Sequence, residues 1–249
     1  MMNQNGTVPA ILSLGTATPR YSADQETIGR WMAASFKDRP GIGRWLRQLY
    51  AQSGIETRYS CAPEFLKPAQ ESRLAPGQDP AHTFTTAERM AIYEQESIPL
   101  GTQAGRQTLA SYAEATNCDL ATVSESVTHL IVVSCTGFFA PGLDLAIARA
   151  LSLAPTVART LIGFMGCSAA FNGLRLAAEI VSGRPDARVL VICVELCSLH
   201  IQPGTDRENL ISAALFADGA AACLVAAADA NVSNIFKING FRTSIMPDT

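Results

Sequence analysis

"ARTLIGFMGCSAAFNGLRLAAEIVSG", residues 158–183, decides the fold class. An apolar run, Ala158–Gly166, reads as a buried strand. From Cys167 the pattern changes period, and Leu174, Leu176, Ala177 and Ile180 recur at helical spacing until Gly183 closes the helix. The change from strand to helix falls on a Gly-Cys pair followed by the small residues Ser168, Ala169 and Ala170. The same strand–helix rhythm extends to both sides. "HLIVVSC" precedes the helical "GLDLAIARALSL", and "ARVLVICVE" is followed by the helical "RENLISAALF" and the strand "AAACLVAA". Buried strands that alternate with helices predict an α/β layered fold.

Towards the N-terminus, "AILSLGTATP" reads as a buried strand that ends in a turn. Ser22 is the expected cap of a helix through "ADQETIGRWMAASF", and a second helix covers "GRWLRQLYAQS". "GIETRYS" follows as an extended piece. Residues 61–82, rich in Pro, Gly and Ala, read as a surface loop. A helix begins near Thr86 and runs towards Asn117, with Pro99 and Gly101 expected to kink or divide it. Residues 1–233 are expected to form one domain. "IFKINGFRTSIMPD" then begins a new strand, so residues 234–249 are expected to open a second domain whose remainder lies beyond these 249 residues.

Composition narrows the function classes. Of the 249 residues, 48% are hydrophobic and 16% charged. The charged share is below the roughly 25% of an average soluble domain. Such a chain covers a sheet on both faces or buries itself in a subunit interface. A net charge of -3 argues against nucleic-acid binding. There is no basic run for an anionic membrane surface, no stretch near the ~20 apolar residues of a membrane span, and no signal-peptide pattern at the start. The seven cysteines are odd in number, sit mostly in strand-like runs and form no CxxC pair, which reads as reduced, cytosolic thiols. Three histidines make a histidine-rich metal site an unattractive reading, and no metal or redox cofactor is expected.

Cys167 is the candidate nucleophile. Backbone N–H groups at a helix N-terminus carry partial positive charge, which favours a thiolate placed there and could hold an oxyanion. Gly166 allows a sharp turn before it. Local context alone leaves two readings level, a reactive thiol and a small buried hydrophobe.

Several motifs together go further. "SLGTATP", "SGIETRY", "HLIVVSCTGFFAPGLD", "GFMGCSAAFNGLRLA", "ARVLVICVELCSLH" and "ALFADGAAACLV" occur in one order over nearly the whole chain. In this the sequence resembles the chalcone and stilbene synthase family, the type III polyketide synthases, and "VELCSLH" and "MGCSAAFNGLR" are closer to its microbial branch. The resemblance implies a thiolase-like αβαβα sandwich, present here mainly as the N-terminal half of a duplicated fold, and a cytoplasmic homodimer. It implies an acyltransferase that loads an acyl-CoA starter on a cysteine, extends it with malonyl-CoA by decarboxylative condensation and cyclises the product. CoA thioesters are then substrates, and no cofactor is needed.

By that resemblance Cys167 is the acyl-carrying nucleophile and Phe216 an aromatic gatekeeper, whereas sequence alone also allows Phe216 to be core. Cys135, Thr136, Ala140, Cys197 and His200 fall at cavity positions. Ala140 is small where many members have a methionine that reaches the partner's cavity. Glu195, closing an apolar strand, reads as buried support for the cavity floor, and Asp218-Gly219 as a tight turn. Arg44, Arg47 and Arg58 are the candidate CoA-phosphate contacts. The family's basic register is not kept, because Trp45, Gln48 and Gln52 stand at matching positions, and a solvated helix face remains an equal reading of these arginines. The family's catalytic histidine and asparagine belong to a second half outside this sequence, so efficient condensation is not expected of the chain as written. Two other functions remain open. One is a ketoacyl-ACP synthase III-like or hydroxymethylglutaryl-CoA synthase-like acyltransferase. The other is a non-catalytic thiolase-like dimerisation module.

Overall fold

The computed structural model describes residues 7–36, 38–75, 80–201, 204–228 and 235–244. In chain order the elements are β1 (Pro9–Ala17), β2 (Tyr21–Asp24), α1 (Gln25–Ala34), α2 (Pro40–Gln52), β3 (Thr57–Ser60), α3 (Thr86–Thr116), α4 (Leu120–Glu125) and β4 (His129–Ser134). There follow α5 (Leu143–Ala150), β5 (Ala158–Gly163), α6 (Ala169–Gly183), β6 (Val189–Leu196), a 3₁₀ turn (Cys197–His200), α7 (Arg207–Leu215), β7 (Asp218–Ala227) and β8 (Phe236–Lys237).

Six strands form one mixed sheet in the order β5-β4-β6-β7-β1-β8. β4 pairs in parallel with β5 and β6, while β6–β7, β7–β1 and β1–β8 are antiparallel. The central strands read as continuous apolar runs because both faces are covered. Leu130 and Val132 of β4, with Leu190, Ile192 and Val194 of β6, share a core with Leu100, Ala104 and Leu109 of α3 and Ile147 of α5. Their neighbours Ile131, Val133, Val189 and Val191 turn to the other face, against Ala169, Ala177 and Val181 of α6. Period-two alternation in the strands thus meets two helix layers. Each fully buried Leu, Ile or Val contributes about 1.5–3 kcal/mol. A third core joins α1, α2 and α7 through Ile28, Met32, Leu46, Tyr50, Leu210 and Ala214.

Several local expectations are corrected. Ser22 lies in β2, paired with Tyr59 of β3, and Asp24 caps α1 by accepting from the Thr27 N–H at 2.7 Å. Pairing with β3 carries the extended chain two residues past the expected cap. Residues 61–75 are not a surface loop: Cys61, Ala62, Phe65, Leu74 and Ala75 are buried, and Glu64 accepts from the Arg73 N–H at 2.7 Å. Part of the remainder, residues 76–79, lies outside the described residues. α3 is one helix through Pro99, started by a reciprocal Thr85–Glu88 capping box. Its buried stripe of Leu100, Ala104, Thr108 and Leu109 packs on the sheet, and that tertiary burial outweighs the loss of one backbone donor. β1 approaches α3 so closely that a Cβ on Gly15 would sit 2.4 Å from the Ala104 carbonyl oxygen. Among the described residues the last expected strand is Phe236–Lys237, which pairs with β1.

Candidate active site

Because β4, β5 and β6 are mutually parallel, the segments that leave their carboxyl ends emerge on one side of the sheet. These are Cys135–Ala140 after β4, Phe164–Ser168 after β5 and Cys197–His200 after β6. Cys167 is therefore brought to the same end as Cys135, Thr136, Cys197 and His200. β7, which runs antiparallel to β6 and opens with Asp218 opposite Leu196, brings in Phe216 immediately before it.

Cys167 is exposed. It sits in a tight turn in which Phe164 and Gly166 both have positive φ, 56° and 77°, and the Ala169 N–H donates to the Gly166 carbonyl at 3.0 Å. Glycine takes this backbone shape without steric cost. α6 begins at Ala169, two residues later than expected, so Cys167 precedes the helix and does not lie within its first turn. No side chain caps this end of α6, and its first N–H groups point towards the turn.

The loop after β4 is tied to β6. Glu195 accepts from the Cys135 N–H at 2.9 Å and from the Thr136 hydroxyl at 2.7 Å. Thr136 Oγ1 in turn accepts from the Leu196 N–H at 2.9 Å, and His200 Nε2–H donates to the Thr136 carbonyl at 2.6 Å. Cys135 Sγ donates to the Gly166 carbonyl at 3.6 Å, which links this loop to the Cys167 turn. Burial holds the Glu195 carboxyl above its ordinary value despite these donors. Burial, followed by the negative charges of Glu195, Asp218 and Cys167, pushes the Cys197 thiol up to about 12. Ala140 is exposed at the outer end of the loop.

Asp218 is the residue that sequence reading missed. It is no turn residue. It is the first residue of β7, 6% exposed, and its carboxylate accepts from the Cys61 N–H (2.7 Å), the Ser198 N–H (2.7 Å) and the Ser198 hydroxyl (2.6 Å). It thereby fixes the turn that carries Cys197 and His200. Ser60 Oγ lies 2.8 Å from Ser198 Oγ and completes the network.

Phe216 is the C-cap of α7 and is 46% exposed. Around the Cys167 turn, Phe138, Phe164, Met165 and Phe171 are also exposed, and the Phe138 and Phe164 rings meet edge to face at 5.8 Å. This is an apolar surround for a thiol at the mouth of the sheet. Among the described residues no group of His, Cys, Asp and Glu side chains is arranged to hold a metal. No helix among them is long and apolar enough to cross a membrane.

The three arginines expected to meet phosphates are not gathered. Arg44 and Arg47 are exposed on α2. Arg58 is 2% exposed and closed to a ligand: its Nη1 donates to the Ala213 and Ala214 carbonyls at 3.1 and 2.9 Å, and to Gln25 Oε1 at 3.3 Å. It faces inward because alternate residues of β3 do so and because the last carbonyls of α7 need donors.

Comparison with known proteins gives a consistent result. The model of the family "Chalcone and stilbene synthases, N-terminal domain" matches residues 1–229. The "Alpha-pyrone synthesis polyketide synthase-like Pks18" of Mycobacterium tuberculosis is 32% identical over 221 residues, 89% of this chain and 52% of that protein. The "Type III polyketide synthase 10" of Oryza sativa is 31% identical over 243 residues, 96% of this chain and 57% of that one. Thus the chain spans about half the length of the curated relatives it matches. Among solved structures, PKS-I of the brown alga Ectocarpus siliculosus superposes with a TM-score of 0.74 at 33% identity, covering 90% of this chain and 57% of that one. The type III polyketide synthase domain of Dictyostelium Steely1 gives 0.75 at 24% identity, covering 88% and 56%, and agrees in fold. The sheet with helices on both faces is accordingly the thiolase-like fold.

Proposed function

The chain belongs to the chalcone and stilbene synthase family, and from that premise we propose that it carries the acyl-loading half of a type III polyketide synthase. The observation that supports this best is Cys167 itself, exposed on a glycine-shaped turn where β5 passes into α6. In the proposed reaction the Cys167 thiolate attacks the carbonyl of an acyl-CoA. The carbon–sulfur bond to CoA breaks, CoA thiolate leaves and takes up the proton that Cys167 gave up, and the acyl group remains as a Cys167 thioester. N–H groups at the start of α6 are suitably placed for the oxyanion.

Extension follows when malonyl-CoA loses CO₂. The resulting acetyl-CoA carbanion attacks the Cys167 thioester and frees the thiol, and the lengthened chain then cyclises. Cys135, Thr136, Cys197 and His200 shape the acyl cavity, held by Glu195 and Asp218. Phe216 is the apolar gate, and the small Ala140 leaves room towards a second copy in a homodimer. Residues 1–233 are the domain that carries the cysteine, residues 234–249 open the following domain, and the enzyme works in the cytoplasm.

The test is product formation. The protein is incubated with a panel of acyl-CoAs and isotopically labelled malonyl-CoA, and extracts are analysed by mass spectrometry. Where the half that carries the family's histidine and asparagine is present, labelled products of starter plus acetate units, lost in Cys167→Ala, are the expected result. Products that persist undiminished in Cys167→Ala would overturn the assignment.

A further inference from the structure

Two thiols meet where β4 and β5 end. The strands are parallel and in register, with Ser134 opposite Gly163, so the chain leaves both at the same level. Cys135 follows β4 directly, and Cys167 stands in the turn that follows β5. Cys135 Sγ donates to the Gly166 carbonyl at 3.6 Å, and that carbonyl belongs to the peptide unit that joins Gly166 to Cys167. In a trans peptide the oxygen and the next Cα lie on one side of the C–N bond, roughly 2.8 Å apart. The Cys135 sulfur is therefore within about 6.4 Å of the Cys167 Cα.

Both thiols are free, with Cys167 exposed and Cys135 half-buried. A Cβ on Gly166 would meet nothing within 4 Å, so the turn has open space beside it. That space lets the two sulfurs approach to the roughly 2.05 Å of a disulfide. Cys197 is the rival partner, but burial above all pushes its thiol up to about 12. A thiol held so high supplies little thiolate at neutral pH, and thiolate is the attacking species. Burial likewise pushes Cys193 up to about 11 and Cys223 up to about 12.

We infer that Cys135 is the resolving thiol for Cys167, and that a hydroperoxide converts the two into a reversible disulfide. With hydrogen peroxide the Cys167 thiolate attacks one oxygen, the O–O bond breaks and hydroxide leaves with the proton that Cys167 gave up, as water. Cys167 is then a sulfenic acid. The Cys135 sulfur attacks the sulfenic sulfur, the S–S bond forms, and the S–O bond breaks. The departing hydroxide takes the Cys135 proton and leaves as a second water. The two sulfurs lose the two electrons that the peroxide gains. A dithiol returns both thiols by exchange, and the irreversible step to sulfinic acid is avoided. On the acyl-loading reading above, the bridge suspends loading until it is reduced; the pairing itself does not rest on that reading.

The test treats the protein with hydrogen peroxide at neutral pH, alkylates it and maps it by mass spectrometry without reduction. A Cys135–Cys167 linked peptide pair within one chain is expected, with loss of iodoacetamide labelling at Cys167 that dithiothreitol restores. Dimedone should trap sulfenic acid at Cys167 and lower the yield of the bridge. In Cys135→Ser no bridge forms, the dimedone adduct increases and Cys167 passes to sulfinic acid, so dithiothreitol restores little labelling. Cys197→Ser should behave as wild type.

A wild-type Cys167 that stays unoxidised, passes to sulfinic acid without a bridge, or bridges to Cys197 or to another copy would overturn the inference. So would Cys135→Ser labelling that recovers as in wild type. The wild-type map decides the matter even where a variant fails to fold. No CoA thioester enters these measurements, which separates them from the function itself. A protein that bridges but gains no acyl group from any acyl-CoA sinks the synthase reading and leaves the disulfide standing.

Discussion

Replacing Asp218 by asparagine keeps the shape of the side chain and removes its charge and one acceptor. In the native network one oxygen accepts from the Ser198 N–H, and the other from the Cys61 N–H and the Ser198 hydroxyl. Whichever way the amide turns, its NH₂ faces a buried backbone N–H. With the NH₂ towards Cys61, the Ser198 hydroxyl can reverse its role and accept, but the Cys61 N–H is orphaned. That orphan costs about 1–3 kcal/mol, and the surviving bonds fall from charge-assisted to neutral strength, roughly a halving. Relief from burying an anion offsets part of this, and the net loss is expected near 2–4 kcal/mol. Urea denaturation of wild type and Asp218→Asn measures it directly. A cycle with Ser198→Ala should show coupling of at least about 0.5 kcal/mol, because the two residues share a network. A variant within about 0.5 kcal/mol of wild type, with no coupling, would refute the view that Asp218 holds the Cys197–His200 turn.

Further predictions concern the frame and the thiols. Gly15→Ala would place a Cβ 2.4 Å from the Ala104 carbonyl and 2.6 Å from the Thr108 backbone nitrogen. Since helix backbone cannot yield cheaply, a loss of about 1–3 kcal/mol or more is expected in the same urea experiment, and a neutral result would contradict the close β1–α3 approach. Burial keeps the Glu195 carboxyl protonated to higher pH in the folded chain than its ordinary 4.5. The folded state thus holds more protons than the unfolded one just above that value, and this residue makes stability fall as pH rises. Glu195→Gln lacks the slope, so its stability relative to wild type should rise with pH above 4.5, and a flat or falling difference would count against a buried carboxyl. Iodoacetamide should label the exposed Cys167 and Cys118 in the native protein. Cys61 and Cys223, both buried, with the Cys223 thiol pushed up to about 12, should react only after unfolding, and peptide mapping reads the order.

What could be read from the sequence was local in origin. "HLIVVSC" and "ARVLVICVE" announce strands covered on both faces because every residue of such a strand meets a helix layer, and the Gly-Cys-small series marks the strand–helix boundary by backbone and size requirements alone. The order of strands across the sheet carries no such local mark, nor does the antiparallel placing of β7 and β1. Asp218-Gly219 has turn chemistry, and its actual partners, Ser198 and Cys61, lie 20 and 157 residues away. Arg58 sits in a polar-looking "GIETRY", yet the carbonyls that bury it come from 155 and 156 residues further on. Ser22 was displaced as a cap because β2 pairs with β3, a contact the local cap signal cannot contain.

The central claim is that Cys167 accepts an acyl group. Intact-protein mass spectrometry before and after incubation with a panel of acyl-CoAs tests it most directly, with Cys167→Ala alongside and peptide mapping to locate the adduct. The account predicts one acyl group per chain, on Cys167 and absent from Cys167→Ala. A folded wild type that gains no acyl group from any CoA thioester, or one that gains it equally in Cys167→Ala, would contradict it.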